Sequence, residues 1–141
     1  MKNLSRLALI AASSILLGAV PAAPPAAFTM NFFGFTSSAT SADGTWSANG
    51  GIDDVGGFTM SWTVSGNQLA HLTATLTGKQ GSITFAGWLR QVATNATDSE
   101  LTGPIRLTGG TGFYAGINGP GKAALSISAG SLTGTIAGKV N

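Results

Sequence analysis

The sequence predicts an all-β protein: a small antiparallel closed β-barrel of about eight strands, preceded by a signal peptide. Three observations carry that reading. Apolar and polar residues alternate with a period of two in successive short runs. Glycine-containing turn signals separate the runs, and no long stretch of good helix formers after residue 28 is free of glycine.

The alternation is clearest in three runs. In Phe58–Val64, Phe58, Met60, Trp62 and Val64 share one face, with Thr59, Ser61 and Thr63 on the other. In Leu69–Thr77, Ala70, Leu72, Ala74 and Leu76 alternate with His71 and three threonines. In Ser82–Arg90, Ile83, Phe85 and Leu89 oppose Thr84, Trp88 and Arg90. Phe28–Thr36, Gly44–Ala48, Ala123–Ser128 and Leu132–Val140 are further strand segments. Ser65-Gly66-Asn67 reads as a tight hairpin, and Asn49-Gly50-Gly51, Lys79-Gln80-Gly81 and Ala129-Gly130-Ser131 as turns. Val92–Gly103 is polar and irregular and is expected to be a long loop. Strands at this spacing make a sandwich or a barrel. Gly87, Gly134 and Gly138 inside strands mark the bends that a curved sheet needs, which favours the barrel.

Residues 1–27 have the order of a secretory signal. Lys2 and Arg6 precede the apolar run Leu7–Val20, and the small, proline-rich stretch Pro21–Ala27 follows, with cleavage expected between about residues 22 and 27. The apolar run is shorter than the ~20 residues of a membrane-spanning helix, so no stable span is expected after processing. Residues 28–141 then form one domain, secreted or periplasmic. Without Lys2 and Arg6 that domain carries five cations and five carboxylates, so nothing suggests nucleic-acid binding. Cysteine is absent, which excludes disulfides and thiolate metal sites. The lone histidine, His71, lies on a threonine face and reads as an ordinary strand residue, and Asp53-Asp54 as a solvated turn. No metal site and no cofactor are expected.

Ile105–Lys122 reads IRLTGGTGFYAGINGPGK. Gly116–Ala123 nearly spells a phosphate-binding loop, but Ala123 replaces the magnesium-binding hydroxyl and a strand is expected next. The Thr108-Gly109-Gly110-Thr111-Gly112, Phe113-Tyr114-Ala115-Gly116, Gly119 and Gly121 pattern resembles the allene oxide cyclase barrel superfamily, which includes the plant dirigent proteins. The match covers about 15 residues in the second half of the chain. The resemblance implies an eight-stranded barrel with an apolar cavity. It also implies ring closure or radical coupling of hydrophobic molecules, and oligomers in several members. The family's acidic catalytic residues have no matching positions in the first half, so no catalytic residue is assigned.

For a cavity, the candidate ligand-binding residues are Trp88, Arg90, Asp98, Glu100, Arg106 and Tyr114. Trp88, Arg90 and Tyr114 are then expected to converge on one concavity of about 300 Å³ or more. A buried Arg90 would need Asp98 or Glu100 beside it. The leading expectation is an exported barrel that binds a small hydrophobic molecule, with cofactor-free cyclase or isomerase chemistry as an extension. The alternative is a non-enzymatic structural or interaction protein of the cell envelope, self-associating through threonine-rich faces or edge strands.

Overall fold

The computed structural model describes residues 24–141, so most of the proposed signal segment lies outside the described residues. Eight strands follow in order: β1 (Ala26–Ser38), β2 (Ser41–Gly50), β3 (Asp54–Val64), β4 (Leu69–Gly78), β5 (Ser82–Ala93), β6 (Asp98–Gly110), β7 (Gly119–Ser128) and β8 (Ser131–Val140). Each pairs antiparallel with the next. β8 returns to β1, from Ala26 opposite Val140 to Phe35 opposite Ser131, and closes the barrel. Closure leaves no edge strand, so association through strand edges is removed from the alternatives. Because β1 begins at Ala26, a cut after Ala22 leaves it whole, whereas a cut after Ala27 removes its first two residues.

The period-two pattern becomes the inside and outside of the wall. Phe32 of β1, Phe58 of β3 and Phe85 of β5 meet at the centre, with Phe32 edge-on to Phe58 at 5.3 Å and to Phe85 at 6.2 Å. Met30, Leu72, Leu76, Leu107, Leu125 and Ile136 fill the space around them. Large inward residues sit opposite glycine on a neighbouring strand: Phe28 opposite Gly138, Phe32 opposite Gly134, Trp46 opposite Gly56. A Cβ on Gly138 would stand 2.9 Å from the Phe28 ring and 2.3 Å from the Pro120 carbonyl. Pairing large with small is how a narrow eight-stranded barrel fills its interior.

Two expectations need correction. Val92–Gly103 is not a loop: β5 runs to Ala93, β6 starts at Asp98, and only Thr94–Thr97 turn between them. Leu101, Ile105 and Leu107 point inward with period two, and the polar residues between them face out. Gly103, at φ 152°, takes an inward position and masks the alternation. Val64 shares the parity of Trp62 yet is exposed, because β3 there runs past the barrel rim. The β7–β8 hairpin uses Ala129 and Gly130, both at positive φ, which matches the right-handed twist of the strands. In the β3–β4 turn the left-handed residue is Gln68 rather than Gly66.

Candidate functional site

The glycine-rich motif closes one end of the barrel. After β6 the chain makes a single 3-10 turn, Gly112–Tyr114, and only then enters β7. Gly112 sits at φ 62°, and a Cβ there would be 2.7 Å from the Gln80 carbonyl. That approach lets the Phe113 N–H donate to the Gln80 carbonyl at 2.9 Å. Thr111 Oγ1 accepts from the Ser82 N–H at 3.1 Å. The motif is thereby docked on the β4–β5 turn and drops Tyr114 into the barrel mouth. The near phosphate-loop feeds strand β7, not a helix.

Tyr114, 4% exposed, donates its hydroxyl to Asp54 Oδ2 at 2.8 Å. The backbone N–H groups of Val55 (2.8 Å), Lys79 (3.0 Å) and Gln80 (3.1 Å) donate to the same carboxylate. Asp54 is therefore a buried hub, 7% exposed, and not part of a solvated turn. Its residue number gave the signal, since Asp54 shares the inward parity of Gly56, Phe58, Met60 and Trp62 on β3. Burial alone would raise its pKa; the Tyr114 and backbone hydrogen bonds outweigh burial and hold the carboxyl below its ordinary 3.8. Burial and the Asp54 charge push the Tyr114 phenol above its ordinary 10.0. Four donors occupy the carboxylate, so the cluster is a clamp between β3, the β4–β5 turn and the motif.

The other candidates do not gather. Trp88 is 55% exposed on the outer wall of β5, where its ring lies 4.7 Å from that of His71 on β4. Arg90 faces solvent on the same strand, opposite Leu69 and Thr102. Glu100 and Arg106 project outward from β6. Asp98 lies at the rim opposite Tyr114. It accepts from Asn95 Nδ2 at 2.8 Å, Thr97 Oγ1 at 3.1 Å and the Ala129 N–H at 3.2 Å, which ties the β5–β6 turn to the β7–β8 turn. The Asn95 bond leads the effects that lower its pKa. Trp88 and Arg90 thus share a wall, Tyr114 belongs to the barrel mouth, and the three share no concavity. No cluster of metal-ligating side chains occurs among the described residues.

Reasoning from sequence missed the outward aromatics of β1. Phe33 (54% exposed) and Phe35 (61%) pack edge to face at 5.6 Å on the outer wall. Their parity, opposite to Phe28, Met30 and Phe32, was the available signal.

The architecture defines the class as a closed eight-stranded up-and-down barrel with an apolar core inside. No family model, curated protein or solved structure matches the chain.

Proposed function

We propose that this protein is an exported, non-enzymatic binding module of the cell envelope or exterior, a rigid barrel that recognises its partner on its outer wall. One observation carries the reading: the interior is occupied by the barrel's own side chains, while Phe33, Phe35 and Trp88 are held out in solvent. Phe33 and Phe35 pack together at 5.6 Å as one contiguous patch, and contiguous exposed apolar patches mark contact surfaces. Export rests on the Met1–Ala27 signal pattern. Catalysis is disfavoured because the one buried carboxylate is already saturated by four donors. A lipid-facing barrel is disfavoured by Arg90, Arg106, Lys122 and Lys139 on the outer wall.

Cosedimentation of the protein with cell-wall fragments tests this. Phe33→Ala or Trp88→Ala should reduce retention with the melting temperature held. Equal retention of wild type and both variants would contradict the outer-wall reading.

One observation favours a second reading, in which the barrel takes a small hydrophobic molecule inside, with cyclase-like chemistry as its extension. Among the described residues, Trp62 Nε1 is buried without an acceptor. Leaving such a donor unpaired costs about 1–3 kcal/mol, which a ligand carbonyl could offset. Native mass spectrometry discriminates: a stoichiometric small-molecule adduct that disappears in Trp62→Phe would place function inside.

A further inference from the structure

Three depressions of the outer wall join end to end. The first, of about 580 Å³, lies between Phe33 and Val55 and reaches Thr45. The second, of about 380 Å³, shares Thr45 and crosses Gly57 to Thr75 and Thr77. The third, of about 280 Å³, shares Asp43 and Thr59 with the second and ends at Ser61 and Thr73. Together they form one furrow along β2 and β3.

Strand register builds its walls. On one side Phe33 and Phe35 stand opposite Thr45 and Asp43. On the other, Thr73, Thr75 and Thr77 of β4 stand opposite Ser61, Thr59 and Gly57. The floor is low at Gly57, an outward position where a Cβ would meet nothing nearer than 3.5 Å. This glycine is required neither by backbone geometry nor by packing, and its missing side chain keeps the furrow open. Along β2 from Ser41 to Ser47 the furrow is roughly 20 Å long at the rise of an antiparallel strand.

The chemistry of the walls selects the occupant. One wall carries the exposed Phe33 ring, with Phe35 packed against it, the other is a ladder of hydroxyls, and Asp43 is the one ionisable residue lining the three depressions. An anionic chain would meet a carboxylate and no cation. An apolar chain would leave the threonine hydroxyls without partners. An elongated, uncharged molecule with apolar faces and hydroxyl edges satisfies both walls, and that is a pyranose chain. We propose that the furrow binds a neutral, linear polysaccharide, with sugar C–H faces on Phe33 and sugar hydroxyls bonded to the β4 threonines and Asp43. The proposal rests on the outer-wall reading and names its partner.

Affinity electrophoresis of the full chain through gels containing hydroxyethyl cellulose, glucomannan or glycol chitin tests it. Retardation is expected in at least one gel. Gly57→Gln, which fills the floor, and Phe33→Ala, which removes the stacking ring, should each weaken binding about tenfold or more. Lys122→Ala, on β7 outside the furrow, should bind as wild type. Thr75→Val, which deletes a wall hydroxyl at constant volume, stands in should Gly57→Gln not fold. No retardation in any gel, or retardation undiminished in Phe33→Ala and in the furrow variant that folds, overturns the proposal. Ice shaping that is lost in Thr75→Val would also overturn it, by assigning the hydroxyl wall to ice. Should the polysaccharides fail while Phe33→Ala still lowers retention on cell-wall fragments, the outer-wall reading stands and only the ligand class falls.

Discussion

Replacing Tyr114 by phenylalanine removes one hydroxyl from the barrel mouth and nothing else. That hydroxyl donates to a buried carboxylate at 2.8 Å. A hydrogen bond to a charged partner contributes about 1.5–3 kcal/mol, and the lower half of that range applies because three backbone donors remain on Asp54. For a domain of this length the loss corresponds to a melting temperature lower by roughly 5–10 °C, read by circular dichroism at neutral pH. The change also has a pH signature. The Asp54 carboxyl is held below 3.8 in the folded protein. Its contribution is therefore complete above that value and is lost as pH falls through the folded pKa. Without the phenol the folded pKa rises, so acid unfolding of Tyr114→Phe should begin at higher pH. At the other extreme, the Tyr114 phenol is raised above 10.0. The folded state keeps that proton when the unfolded chain has lost it, so wild-type stability falls as pH rises beyond about 10. Tyr114 is the one tyrosine of the chain, so tyrosinate absorbance follows it directly and should appear late, with unfolding. A melting temperature within a degree or so of wild type, or tyrosinate formed at an ordinary pH in the folded protein, refutes the clamp.

Three further substitutions separate fold from surface. Gly112→Val places a β-branched residue at φ 62° and against the Gln80 carbonyl, and should cost about 1–3 kcal/mol by denaturant titration. Phe85→Ala removes one ring of the aromatic cluster, the one edge-on to Phe32, and should cost about 3–5 kcal/mol, with a lower midpoint and little change in slope. Trp88→Ala should shift stability by no more than about 1 kcal/mol despite the size of the residue, because the residue is more than half exposed and its ring packs on the outer wall beside His71.

The barrel was legible where alternation was uninterrupted. Phe58–Val64, Leu69–Thr77 and Ser82–Arg90 all fall within strands. Trp88 and Arg90 oppose Ile83, Phe85 and Leu89, and that parity puts them on the outer wall and not in the cavity expected for them. β6 was hidden because an inward glycine, Gly103, stood where an apolar residue would have completed the period. Asp54 was hidden for a different reason. A carboxylate beside glycines reads as a turn, and only its backbone donors and a tyrosine 60 residues away make burial affordable. The motif Thr108–Gly116 was visible as a tight glycine turn, but its task of delivering Tyr114 to Asp54 depends on a contact between distant segments. The furrow depends on three inter-strand registers at once, which period-two alternation does not encode.

The central claim is that the barrel is full and that recognition happens on its wall. Xenon enters dry apolar voids and leaves packed cores empty. Crystals pressurised with xenon should therefore show no atom among Phe32, Phe58 and Phe85, which already fill that space in edge-to-face contact. A xenon atom bound between those rings, or at the Trp62 end of the barrel, would reveal an internal cavity and return the functional site to the interior.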